Sequence, residues 1–164
     1  MAIVTSSIVT QRLTVATSSP GTQVGTRVMT SDGGEAIFVI ALSAIAQYDA
    51  VAILNSSSAT GSTLCAAPLT TTNAAQAAGM GVAQTALAAG EYGWIMQKGN
   101  DLRVNVLIAC QPAVPLFTTA TGGALDDTIV SGGFAVGVIA KTSAASASAV
   151  QCIMSSGVLA HSMG

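Results

Sequence analysis

Short runs of Val, Ile and Thr, cut about every eight to twelve residues by Gly, Asp, Asn or Pro, leave little room for helices and point to an all-β chain. TRVMT (26 to 30) and EAIFVIAL (35 to 42) flank Ser31-Asp32-Gly33-Gly34, an Asp-Gly turn signal between two strand-like runs, and so form a hairpin. A second hairpin is expected from EYGWIMQK, then Gly99-Asn100 as a two-residue loop, then DLRVNVLIA. That loop pairs Lys98 with Asp101 and sets Ile95 opposite Val104 and Gly93 opposite Val106. Gly93, Ile95, Leu102, Val104, Val106 and Ile108 then share the core face, and Tyr92, Trp94 and Met96 share the other with Arg103, Asn105 and Leu107. Trp94 is the chain's only Trp. Among polar neighbours it is either a half-buried packing residue or an anchor at a subunit contact.

A partial echo suggests internal repetition. GVAQTALAAGEYGWIMQKG (81 to 99) lies over GVIAKTSAASASAVQCIMSSG (137 to 157) with two residues of slippage, matching Gly-Val at the start and Ile-Met with a closing Gly at the end. Each reads as strand, small-residue loop, strand. Upstream, DAVAILNSSSATGSTLCAAP (49 to 68) and PAVPLFTTATGGALDDTIVSGG (112 to 133) correspond loosely. The pattern suits a small β-barrel or β-sandwich built from two related β-units. TTNAAQAAG (71 to 79) is either one or two helical turns ending at Gly79 or a loop.

Charge bounds the function. Only 7% of the 164 residues are Asp, Glu, Lys or Arg, against about 25% in ordinary soluble domains, while 51% are hydrophobic and the mean hydropathy is +0.65. A bilayer does not account for this, because the longest apolar run, Ala36 to Ala46, has eleven residues where a spanning helix needs about 20. The N-terminus lacks a basic segment followed by a long apolar one, so it does not read as a signal peptide, and the expectation is a soluble protein made in the cytoplasm without membrane partners. Burial against other subunits explains the low charge better. Net charge is −2, and Arg12, Arg27, Lys98, Arg103 and Lys141 are scattered, which argues against nucleic acid as a partner.

Catalytic chemistry finds no constellation. His161 is the only His, near the C-terminal end, and reads as an exposed tail residue. There is no GxSxG elbow, and SGGFAVG (131 to 137) lacks the Lys-Ser/Thr of a phosphate loop. Asp32, Glu35, Asp49, Glu91, Asp101, Asp126 and Asp127 read mainly as solvated turn residues; a calcium site at Asp126 and Asp127 lacks the alternating Asp/Asn loop pattern. Cys65, Cys110 and Cys152 are odd in number without CxxC spacing and read as buried free thiols. No enzyme, metal or cofactor is expected.

GTRVMTSDGGEAIFVIALSAIAQYDAVAI (25 to 53), the 81 to 99 unit and GGALDDTIVSGGFAVGVIAK (122 to 141) together resemble the capsid decoration, or cement, proteins of tailed bacteriophages. The likeness lies in the order of phrases over about residues 22 to 157. It implies a compact, often trimeric β-fold on the exterior of an icosahedral head, clamping neighbouring major capsid subunits, with no catalytic residues to carry over. The N-terminal stretch AIVTSSIVTQRLTVATSSP ends at Pro20 and is either an edge strand or an extended arm that adds to a neighbour's sheet. Residues 1 to 20 are thus an arm or edge strand, and 21 to 164 a single β domain. The expected function is a phage virion structural protein, a homotrimer that stabilises the head; the alternatives are a tail or fibre component, or a carbohydrate-binding β-module. Candidate contact residues are Ile3, Val4, Ile8, Val9, Tyr92, Trp94, Met96 and Arg103.

Overall fold

The computed structural model describes residues 16–18, 21–58, 61–155 and 160–161. In chain order these form β1 (Arg27–Met29), β2 (Glu35–Ala41), β3 (Ala50–Ser58), β4 (Gly61–Pro68), the single helical turn α1 (Thr71–Ala74), β5 (Gly79–Val82), β6 (Tyr92–Val106), β7 (Pro115–Thr118), β8 (Leu125–Asp126), β9 (Phe134–Ala140), β10 (Ser148–Met154) and β11 (Ala160–His161). The Asp-Gly hairpin is present. β1 pairs antiparallel with β2, and Gly33 takes the positive φ (79°) that its turn requires. In α1, Thr70 caps the first turn by accepting from the Asn73 N–H, and Asn73 returns the bond to the Thr70 N–H.

The second hairpin does not exist. Tyr92–Val106 is one strand of 15 residues, and neither Gly99 nor Asn100 has the positive φ that a two-residue hairpin loop demands. The first half of β6 pairs with β2 (Ile37 with Ile95, Val39 with Gly93) and the second half with β10 (Leu102 with Cys152, Val104 with Val150). Two register irregularities, beside Glu35/Ala36 and beside Cys152/Met154, fall between the halves. Lys98 therefore faces Glu35 rather than Asp101, and Asp101 forms its ion pair with Lys141 at 2.5 Å.

β6 belongs to two rings. β2, β4, β3, β5 and β6 close on one another, with β2–β4 the parallel contact. β6, β8, β7, β9 and β10 close in the same way, with β6–β8 parallel. Many pairings of one ring recur in the other, until a register shift in the second ring sets Phe117 opposite Ala135. Positions on β2 and β3 recur 65 residues later: the Ile37–Ile95 pair becomes Leu102–Cys152, and the isolated bridge Ile45–Leu87 becomes Cys110–Ala144. Positions on β5 and the first half of β6 recur 57 residues later, so Ala50–Val82 becomes Pro115–Ile139. Tyr48 and Ala113, the two non-glycine residues with positive φ, are equivalent, and their N–H groups donate to equivalent carbonyls, Ala83 and Ala140.

The duplication read from sequence is therefore real, but its matched words are each one residue off. Gly81 corresponds to Val138 rather than Gly137, and Ile95 to Cys152 rather than Ile153. In a strand that step moves a side chain from inside to outside. Ile95 lies in the first ring's interior with Ile37, Val39, Ile45, Val51, Ile53 and Leu87, whereas Ile153 faces out. The second interior uses Leu102, Val104, Val106, Leu116, Val136, Val138, Val150 and Cys152.

Candidate interaction surface

Of the residues expected at a contact, Ile3, Val4, Ile8 and Val9 lie outside the described residues. Trp94 does not share an exposed face with Arg103 and Asn105. It is 7% exposed and packs at 5.1 Å between ring centroids, tilted by 57°, on Phe38, which in turn stacks on Tyr92 at 6.2 Å. Met96 is buried with it, Tyr92 is half-buried, and Arg103 is exposed. The expected register erred because the first half of β6 is covered on both sides: Ile95 fills one core and Trp94 and Met96 another. That second cluster continues along the same strand through Leu102, Val104 and Val106.

Arg103 and Asn105 instead build a joint between the rings. Asn105 donates its backbone N–H to the Tyr48 carbonyl (2.8 Å) and its carboxamide to the Gln47 carbonyl (3.1 Å) and the Asp49 carboxylate (3.0 Å). Asp49, 8% exposed, also accepts from the Ala46 N–H at 2.8 Å. Gln84 spans the Arg103 backbone, donating to its carbonyl and accepting from its N–H, and the Arg103 guanidinium lies 5.8 Å from the centre of the Tyr48 ring. Gly123, at φ 81°, backs onto Asp49 so closely that a Cβ there would sit 2.3 Å from its carboxyl carbon. Asp49, Asn105, Val106, Leu107 and the 121–124 turn line a cavity of about 370 Å³ beside this joint.

The acids do not all sit in solvated turns. Asp32 does, and the Thr30 hydroxyl donating to its carboxylate holds its pKa below the ordinary 3.8. Asp101 lies in β6, and Asp49 and Asp126 are buried. Among the described residues, no group of three or more His, Cys, Asp and Glu side chains could hold a metal ion. The three cysteines are free and buried, and burial pushes the Cys152 thiol up to about 12 against a small opposing pull from Lys141. The backbone of His161 is not a loose tail, since it pairs with Phe134 through β11. No helix among the described residues is long and apolar enough to cross a membrane.

One surface escaped the sequence reading. β7 and β9 alternate throughout and β10 alternates from Ala149, with Leu116, Val136, Val138, Val150 and Cys152 inward and the residues between them outward. Register sets Pro115, Ile139 and Ile153 side by side across three strands. Ile139 is 44% and Ile153 37% exposed, and no charged residue occurs on these three strands. In the first ring the equivalent residues are Ala50, Val82 and Met96, all buried. The alternation in FAVGVIA and SAVQCIM was the available signal. Placing the exposed positions together needed the strand pairing, which crosses from β7 to β9 to β10.

No family model matches the chain, and no curated protein matches it significantly. Among solved structures, it is similar to the head fiber gp8.5 N base of bacteriophage phi29, at 16% sequence identity and a TM-score of 0.51, over 81% of this chain and 98% of that one. At that identity the likeness is one of fold: a domain that another chain uses in full is shared here across the two linked rings.

Proposed function

We propose that this chain is a structural protein of a tailed-phage virion, carried on the exterior of the head and binding across major capsid subunits as a homo-oligomer, most simply a trimer. The fold likeness to the head fiber gp8.5 N base of phage phi29 carries this reading, because it spans nearly all of that chain. The resemblance to cement proteins, the 7% charge and the uncharged outer face of β7, β9 and β10 support it. No catalytic group is required: a protein that binds the assembled shell and not separated subunits stabilises the shell by mass action, and many copies add their effects.

The same likeness favours a second reading, in which the chain is the base of a longer head-attached fibre. Reconstruction of the intact particle at subunit resolution separates the two. A cement role places density for the two-ring unit across capsid subunit boundaries with nothing rising from it, and a fibre base shows further density projecting outward. Density confined to the tail vertex overturns both.

A further inference from the structure

Equivalent faces of the two rings are treated differently. In the first ring, the outward residues Ala36, Phe38, Ala50, Ala52, Met80, Val82, Trp94 and Met96 are all buried, so β2 and the first half of β6 are covered on both sides. Part of that cover comes from the chain ahead of β2. Val28 pairs with Ala36, Gly25 and Thr26 bond to the Phe38 backbone, and Val24 and Val28 pack against the cluster. The second ring has no such preceding segment, because its first strand is the second half of β6 and the residues before it are the first half. Its outward face keeps Pro115, Ile139 and Ile153 exposed.

We propose that residues 2–15 of a second copy of this chain cover the Pro115–Ile139–Ile153 face of the second ring. Three features support this occupant. The segment AIVTSSIVTQRLTV has the composition of the strand-forming residues that cover the first ring, with Ile3, Val4, Ile8, Val9, Leu13 and Val15 against one charge, Arg12. The three strands that present this face carry no charged residue, so they contribute no ion that covering would bury. Finally, the described chain starts at Ala16 and is pinned where Thr17 exchanges two backbone bonds with Tyr92, at 3.0 and 2.8 Å. The sixteen residues upstream of that anchor reach about 50 Å when extended, enough to leave their own subunit. A neighbour's segment thereby supplies to the second ring what the preceding chain supplies to the first.

The test uses purified full-length protein, so it is independent of any capsid. A photoreactive benzoylphenylalanine replaces Ile139, and this chain is co-expressed with a wild-type copy carrying a different tag. Expected is a cross-linked dimer whose joined peptide lies within residues 1–16 of the differently tagged chain, and which vanishes when residues 2–15 of that chain are deleted. In parallel, Ile139→Asp with Ile153→Asp lowers the sedimentation coefficient toward that of the monomer while leaving the far-ultraviolet circular dichroism unchanged. Cross-links confined to one chain, cross-links to other segments only, or a wild-type protein that sediments as a monomer each overturn the proposal.

Discussion

Gly93 shows how single residues set the interior of each ring. A Cβ at Gly93 would lie 2.5 Å from a Leu87 methyl, and one at Gly81 would lie 2.3 Å from a methyl of Ile95. At the equivalent positions of the second ring both substitutions are made together: Val150 stands where Gly93 does, opposite Ala144 instead of Leu87, and Val138 stands for Gly81, opposite Cys152 instead of Ile95. Each ring fills the same space from opposite sides. Gly93→Val should therefore destabilise by about 1–3 kcal/mol or more, and Leu87→Ala alone by about 2–5 kcal/mol. The double variant should recover at least about 1 kcal/mol relative to the sum of the two, measured by denaturant midpoints. Additive losses would show that the two sites do not compete for one volume. None of this was legible in one sequence, because the partners are 6 positions apart in one ring and recognisable only after the rings are aligned. At the surface, Asp32 carries a pH signature of the β1–β2 turn. Its lowered pKa means that the Thr30 bond contributes above the ordinary 3.8 and is lost as pH falls through the lower folded value. A pH titration by nuclear magnetic resonance should place Asp32 below 3.8, and Thr30→Ala should return it toward that value.

Strand β6 is the element on which the sequence reading failed and the architecture depends. Ser31-Asp32-Gly33-Gly34 and Gly99-Asn100 carry turn signals of similar strength, yet only the first is a turn. The difference is tertiary. Residues on both sides of Gly99 find partners in other strands, β2 before it and β10 after it, so extending the chain satisfies more backbone groups than folding it back. The all-β class and the two related units were legible because they rest on strand rhythm and repetition, and of barrel and sandwich, both left open by that rhythm, the barrel is present; pairing across the two irregularities was not legible. Asn100→Val separates the alternatives. A β-branched residue is strongly disfavoured at positive φ but suits extended backbone, so stability should change by less than about 1 kcal/mol, whereas a true turn would lose more. The joint should be less forgiving. Asn105→Ala removes a donor to Asp49, leaving that carboxylate the Ala46 N–H, and should cost about 1–3 kcal/mol at an unchanged denaturant slope. No loss would mean that water replaces the carboxamide without penalty.

At the scale of the whole molecule, low charge takes on a meaning that composition alone did not fix. The first ring hides its apolar outer face within the chain, whereas the second leaves Pro115, Ile139 and Ile153 exposed on three strands that carry no charged residue. The interface candidates Trp94 and Met96 are already used inside the subunit, and their covering is a tertiary property that strand alternation does not reveal. If the chain binds across capsid subunits, the head gains stability without any reacting group, and the gain depends on occupancy rather than on one strong site. Heads assembled without this protein should then form normally but release their genome at a lower temperature, and under milder chelation or osmotic shock, than complete heads. Adding back purified protein should restore the release temperature in proportion to the fraction of sites filled. Protein carrying Ile139→Asp and Ile153→Asp should restore less, because impaired oligomers lose the combined effect of several linked contacts. The decisive measurement is genome release against temperature, followed by fluorescence of a DNA-binding dye. Identical release curves for heads with and without the protein would remove the stabilising role and leave the fibre base as the reading to pursue.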